Sequence, residues 1–255
     1  MDPTSLKISP DQVPLESQPV LVSGPGATWI RDTRDNPADA RQGTFNSVDF
    51  ALSGRVLGSQ ANFVRGLIQN SSYYRIGKSL VFARSTQFGI ESPFGQARTV
   101  ESNGEQVSTG TIPLPERLYA GGGNSHRGFG LNQAGPRDLT TGFAIGGDGL
   151  FVNSLELRFP VWGQSISGVF FHDAGNVYHS IRDLTFRLHQ PSDTDFSYMS
   201  HAVGIGLRYN TAVAPARFDV GYNINPTRFL VPGDPSPVQH TLSRWQFLFS
   251  IGQTF

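Results

Sequence analysis

The sequence contains no cysteine, which excludes disulfides and thiolate metal sites. It has no charge excess either: 20 basic and 20 acidic residues balance, and no basic stripe or tail points to nucleic acid. No apolar run approaches the ~20 residues that a membrane-spanning helix needs. That absence leaves a membrane open, because barrel strands alternate lipid-facing and lumen-facing side chains and average to a polar composition. The first residues, Met1-Asp2-Pro3-Thr4-Ser5-Leu6-Lys7, lack a basic segment followed by an apolar one, so no secretory signal is expected in this chain. Its six histidines (His126, His172, His179, His189, His201, His240) show no metal-ligand spacing. Ser125-His126 lacks the strand–turn–helix setting of a nucleophile elbow. No catalytic residue, metal or cofactor is expected.

What the sequence does have is alternation. Residues 1–18 hold three prolines among polar residues and read as an irregular lead-in. Strands are expected at 20–31 (interrupted by Gly24-Pro25-Gly26), 45–56, 62–74, 78–90, 150–160, 165–178, 201–209, 216–224 and 242–255. In the second, Val48, Phe50 and Leu52 point one way while Ser47, Asp49, Ala51 and Ser53 point the other. A turn at Arg75-Ile76-Gly77 joins the third and fourth, whose second faces are assigned Arg65, Gln69, Arg84 and Gln87. In 150–160, Leu155, Leu157 and Phe159 oppose Ser154, Glu156 and Arg158; in 201–209, Val203, Ile205, Leu207 and Tyr209 oppose Ala202, Gly204, Gly206 and Arg208.

About nine such segments, with no helical period between them, are the pattern of a transmembrane barrel. Composition alone leaves a soluble β-sandwich open, but sandwich strands are nearer 5–6 residues long. Short connections (75–77, 210–215) alternate with long ones (91–140, 179–200), as the two sides of a membrane barrel require. The fold expected is therefore all-β, a transmembrane antiparallel β-barrel whose polar faces line a wet lumen. Trp245, Phe247, Phe249 and Ile251 share one face of the last strand, which ends at Phe255; those aromatics are expected to face lipid.

The long connection 91–140 needs a purpose, since structureless loops of that length are uncommon in compact domains. Within it, Leu118-Tyr119-Ala120-Gly121-Gly122-Gly123-Asn124-Ser125-His126-Arg127-Gly128-Phe129-Gly130 has five glycines in thirteen residues. So many suit a backbone that turns sharply, or passes close to another wall.

Downstream follow Gly135-Pro136-Arg137-Asp138, Gly146-Gly147, Leu155-Glu156-Leu157-Arg158-Phe159-Pro160 and Phe170-Phe171-His172-Asp173-Ala174-Gly175-Asn176-Val177-Tyr178. This ordered set resembles the bacterial surface antigen family, the C-terminal barrel domain of BamA- and TamA-type assembly factors and their mitochondrial and chloroplast relatives. The resemblance runs from Ile30 to Phe255. It implies that the loop folds back into the lumen with Arg127 at its tip, and that Glu156 and Asp173 on the barrel wall accept it. Alternation places Glu156 on its strand's polar face independently, and Asp173 is expected inward because charge facing lipid costs ~2–4 kcal/mol. Phe129 is expected beside Arg127, with Gly122, Gly123, Gly128 and Gly175 allowing close backbone approach. His126 departs from the family pattern, which favours an apolar residue there.

Family barrels have about sixteen strands. Residues 19–255 would thus form the C-terminal part of a barrel domain, completed by missing N-terminal strands and periplasmic domains or by another chain. The implied location is the outer membrane of a bacterium or of an organelle of bacterial origin. The implied function is assembly and insertion of outer-membrane proteins, or polypeptide translocation, through a lateral seam that templates an incoming strand, with Gln246, Ser250 and Thr254 facing the lumen beside it. Expected partners are the lipid bilayer and unfolded outer-membrane or secreted polypeptides. The alternatives are a passive porin or transporter, which needs no infolded loop, and a dedicated two-partner secretion translocator. A soluble β enzyme fits least.

Overall fold

A computed structural model describes residues 21–95, 99–102, 105–108, 112–139, 141–163, 165–210, 215–231 and 236–252. In chain order its strands are β1 (Gly26–Asp32), β2 (Gly43–Ser53), β3 (Phe63–Ile76), β4 (Leu80–Pro93), β5 (Thr99–Ser102), β6 (Glu105–Ser108), β7 (Gly149–Trp162), β8 (Ile166–Tyr178), β9 (Ser200–Asn210), β10 (Pro215–Asn223), β11 (Arg228–Val231), β12 (Val238–Thr241) and β13 (Trp245–Ile251). Nine of them make one antiparallel meander, in the order β1-β2-β3-β4-β7-β8-β9-β10-β13. The other four form two hairpins, β5–β6 and β11–β12, inside long connections. Among the described residues the sheet does not close: β1 and β13 each have one free edge. The only helical pieces described are single 3-10 turns.

The nine segments expected from alternation are the nine strands of this sheet, with ends that move for local reasons. The ladder of β1 starts at Gly26 because Pro25 has no N–H to give, although its carbonyl still accepts from Leu52. The turn between β3 and β4 falls two residues later than expected, since Ile76 still pairs with Leu80 and Gly77 takes φ 62°. The connection after β4 contains the β5–β6 hairpin, so it is not structureless throughout. The lead-in 1–18, Thr254 and Phe255 lie outside the described residues.

Alternation sorts the side chains cleanly. One face exposes Trp29, Val48, Phe50, Ile68, Phe170, Ile205, Leu207, Phe218, Phe247 and Phe249, an apolar belt suited to lipid. The opposite face of β3, β4, β7 and β8 buries Tyr73, Ala83, Ser85, Val152, Ser154, Glu156, Phe171 and Asp173. Around the loop this second face is not the open, wet lining expected of a pore. Residues of 112–139 and 141–148 pack onto it, and an apolar core lies between that loop and the sheet. Arg84 is the exception to the expected sorting. It shares the outer face with Phe82 and Phe88, because Gln87 and Arg84 have opposite parity.

Candidate functional site

The loop is built to hold one shape. Leu118 and Gly147 exchange backbone hydrogen bonds at its neck (3.0 and 3.1 Å), and the Ala134 N–H donates to the Ala120 carbonyl (3.0 Å). The Gly122 N–H reaches across the tip to the Phe129 carbonyl (3.0 Å). Gly121 and Gly122 sit at φ 118° and 92°, where a side chain would be strained. Phe129 is fully buried with Leu118, Ala120, Ala134, Leu150, Val152 and Val177, so an apolar plug ties the loop to β7 and β8. Burying a ring of this size contributes roughly 1.5–3 kcal/mol.

That plug presents Arg127 to the sheet with no solvent exposure (0%). Its Nε donates to Asp173 Oδ2 (2.8 Å), Nη2 to Asp173 Oδ1 (2.7 Å) and Nη1 to Glu156 Oε1 (2.5 Å). The backbone N–H of Arg127 also donates to Asp173 Oδ2 (2.8 Å). The guanidinium carbon, Cζ, lies over Phe171, 3.6 Å from its ring centroid. A planar fork meeting one carboxylate twice is the arrangement that arginine allows and lysine does not.

The wall around this contact is itself charged. Glu156 Oε2 accepts from Arg158 Nε (2.8 Å), and Arg208 Nη2 stands 3.5 Å from Glu156 Oε1. Arg208 Nη1 donates to Asp219 (2.6 Å). Three guanidiniums (127, 158, 208) thus face three carboxylates (156, 173, 219), and the buried cluster is formally neutral. Neutrality and bidentate geometry keep the desolvation cost of so many buried charges bearable.

Main-chain contacts finish the docking. Asn223 Nδ2 donates to the Gly128 carbonyl (3.0 Å). Gly128 lies so near Ala202 that a Cβ would collide with it, and Gly221 of β10 leaves room for the Arg127 carbonyl. Gly175 takes φ 148° against the backbone of β7. Gly123 faces Arg217 of β10 and Ser250 of β13. Arg217, almost fully buried, donates through Nη2 to the Gly123 carbonyl (2.7 Å), Asn124 Oδ1 (2.9 Å) and Ser250 Oγ (2.6 Å). The loop tip, the penultimate strand of the sheet and its last strand therefore meet at one guanidinium.

Of the residues singled out in the sequence, Arg127, Glu156 and Asp173 are brought together, and Gly122, Gly123, Gly128 and Gly175 all sit at turns or close approaches. Phe129 does not stack on Arg127; it belongs to the apolar plug, and the ring under the guanidinium is Phe171. Phe247 and Phe249 are 70% and 71% exposed on the outer face of β13, away from the cluster. Sequence reading puts Arg158 and Arg208 on polar faces without giving them a role, and leaves out Arg217, Asp219 and Asn223. Parity is the signal for them, since each shares the inward face of its strand with small or buried neighbours.

His126 accounts for its own departure from the family pattern. It is fully buried, with Nε2 3.1 Å from the Ser200 carbonyl and Nδ1 accepting the Gly128 N–H (3.2 Å). Those partners require the neutral ring with its proton on Nε2. Burial holds its pKa below the ordinary histidine value. An unfolded chain takes up this proton near pH ~6.5 and the folded one only at lower pH. The contribution of His126 to stability is therefore complete above pH ~6.5 and falls away as pH drops through the folded value. Urea unfolding between pH 7.5 and 5 is expected to show stability declining on acidification, with a shallower decline in His126→Gln. Equal slopes in the two proteins would contradict this assignment.

Comparisons with known proteins agree with this architecture. The chain is 26% identical over 230 residues to the outer membrane protein assembly factor BamA of Nitratidesulfovibrio vulgaris, covering 89% of this chain and 25% of that protein. It is 27% identical over 220 residues to a SAM50-like protein of Schizosaccharomyces pombe, covering 83% of this chain and 42% of the relative. The crystal structure of BamA from Haemophilus ducreyi lacking POTRA domains 1–3 superposes with a TM-score of 0.63 at 17% identity, over 89% of this chain and 41% of that one. The chain thus spans between a quarter and about two fifths of the proteins it matches. That likeness gives the open nine-stranded sheet the fold of the corresponding part of the BamA structure. A family model described as the Omp85 superfamily domain matches residues 16–255, and the chain belongs to the Omp85 superfamily.

Proposed function

We propose that this chain is the C-terminal part of a barrel that assembles and inserts outer-membrane proteins, and that the Arg127 loop braces the wall beside a lateral seam. The observation that carries the reading is the three-way junction at Arg217, which bonds the loop at Gly123 and Asn124 and the last strand at Ser250. A passive channel gains nothing from a lumen packed with a loop anchored to its terminal strand. A machine that must open and reclose there does gain a fixed wall to open against. The free edges of β1 and β13 cannot stand in lipid, because unpaired backbone groups there cost several kcal/mol each. Strands from a longer polypeptide, or from another chain, complete the barrel. An incoming unfolded strand pairs at the seam by β-augmentation. The assembly role of the BamA relative named above supports this reading.

The test is reconstitution. The completed barrel, this chain together with the strands that close it, is placed in liposomes and given a urea-unfolded β-barrel substrate, and the rate at which protease-protected, heat-modifiable substrate forms is measured. Acceleration of at least ~10-fold over empty liposomes, about 1.4 kcal/mol in barrier, is expected. A folded, ion-conducting protein that gives no acceleration would establish the passive-channel reading instead.

A further inference from the structure

One polar line crosses the outer face of the sheet, and neither the loop nor its wall uses it. Asn46 Nδ2 donates to Thr44 Oγ1 (3.3 Å), Asn70 Nδ2 to Asn46 Oδ1 (2.6 Å), and Arg84 Nη2 to Asn70 Oδ1 (2.9 Å). Arg84 Nη2 also donates to Thr86 Oγ1 (3.1 Å), whose hydroxyl donates to Asn153 Oδ1 (2.9 Å). The line runs across β2, β3, β4 and β7, and Asn46↔Asn70, Asn70↔Thr86 and Thr86↔Asn153 are direct cross-strand pairs. Apolar rows flank it on both sides. Val48, Ile68, Phe88 and Phe151 lie toward the long loops, while Tyr74, Phe82 and Leu157 lie toward the short turns.

Arg84 is the anomaly in this line. It is half-buried, it faces the same side as the lipid belt, and among the described residues it forms no ion pair. An arginine on the lipid face costs ~2–4 kcal/mol at mid-depth. The neutral amides and hydroxyls fix its guanidinium in place without neutralising it. A cation held in a set orientation, with its charge unspent, is a ready acceptor for an anion.

We propose that Arg84 and its amide line bind the phosphate of an anionic phospholipid in the leaflet on the short-turn side. Depth favours that source. Arg84 lies four residues beyond Leu80, where β4 leaves its turn. At ~3.3 Å per residue and ~40° tilt, its Cα sits roughly 10 Å above the turn. A long cationic side chain there can turn its head toward the interface. Tyr74 and Phe82, with ring centroids 6.4 Å apart, stand on that side and would flank the glycerol and first acyl carbons. A second copy of the chain fits less well, since a twofold contact on this patch sets one Arg84 against another. The inference rests on the membrane-barrel fold and is independent of the assembly reading.

The test is native mass spectrometry of the detergent-purified barrel, this chain together with the strands that close it, titrated separately with phosphatidylglycerol, phosphatidylcholine and inorganic phosphate. Wild type is expected to retain one phosphatidylglycerol more than Arg84→Gln, with at least ~10-fold preference over phosphatidylcholine. Phosphatidylglycerol should raise the unfolding temperature of wild type but not of Arg84→Gln or Arg84→Leu, and Arg84→Lys should recover part of the shift. Equal retention by wild type and Arg84→Gln overturns the proposal. So does phosphate binding as tightly as the lipid, or a dimer whose abundance depends on Arg84. Asn70→Leu, which removes the amide orienting Arg84 without touching its charge, should weaken lipid retention; unchanged retention there excludes the amide line.

Discussion

Arg127→Met is expected to lower the stability of the folded barrel by about 3–5 kcal/mol, the usual consequence of stripping one partner from a buried ion pair. The magnitude follows from what would be left behind. Asp173 loses both side-chain hydrogen bonds from the guanidinium and keeps only the Arg127 backbone N–H, and Glu156 loses its shortest contact. Both carboxylates have no solvent exposure and cannot be rescued by water. Phe171 meanwhile loses the cation stacked on its ring. Methionine keeps most of the volume, so the effect reads the charge rather than a cavity. Arg127→Lys should recover only part of the loss, because a single ammonium cannot meet two carboxylates in the fork geometry. The measurement is urea unfolding, in liposomes, of the barrel completed by the strands that close it. An unfolding free energy within ~0.5 kcal/mol of wild type would show that the loop tip does not hold the wall.

The sequence carried the sheet better than it carried the cluster, and the reason is physical. Strand alternation is a property of each segment alone, so β2, β7 and β9 can be read from their own residues. Pairing of Arg127 with Glu156 and Asp173 required the family resemblance, because the partners are 29 and 46 residues away and no local pattern links them. Phe129 was expected beside Arg127 on the strength of the resemblance; it packs into the apolar plug, and the ring under the guanidinium is Phe171 of β8, which no local pattern marks. Arg84 was assigned to one face with Gln87, although the two have opposite parity, and its amide line holds it on the outer face. Arg217 was invisible for a third reason: its acceptors are a backbone carbonyl, an amide and a hydroxyl, none of which marks a partner in sequence.

Glu156→Gln should be nearly as costly as Arg127→Met, on the order of 3 kcal/mol, although it deletes no bulk. Glu156 is the hub of the cluster, touching Arg127, Arg158 and Arg208. Its neutralisation leaves three buried guanidiniums to share Asp173 and Asp219, converting a balanced cluster into one with a net positive charge. The two substitutions are expected to be strongly non-additive. Arg127→Met with Glu156→Gln removes one charge of each sign and restores the balance, so the double variant should be more stable than the sum of the single losses predicts. A coupling of ~1–3 kcal/mol is the expected size for charges in direct contact. Strict additivity would mean that the two side chains act through separate neighbours. The same cycle separates support from function. If the double variant recovers stability but not substrate insertion, the loop must be held at this wall by this charge pair, and a merely stable barrel is not enough.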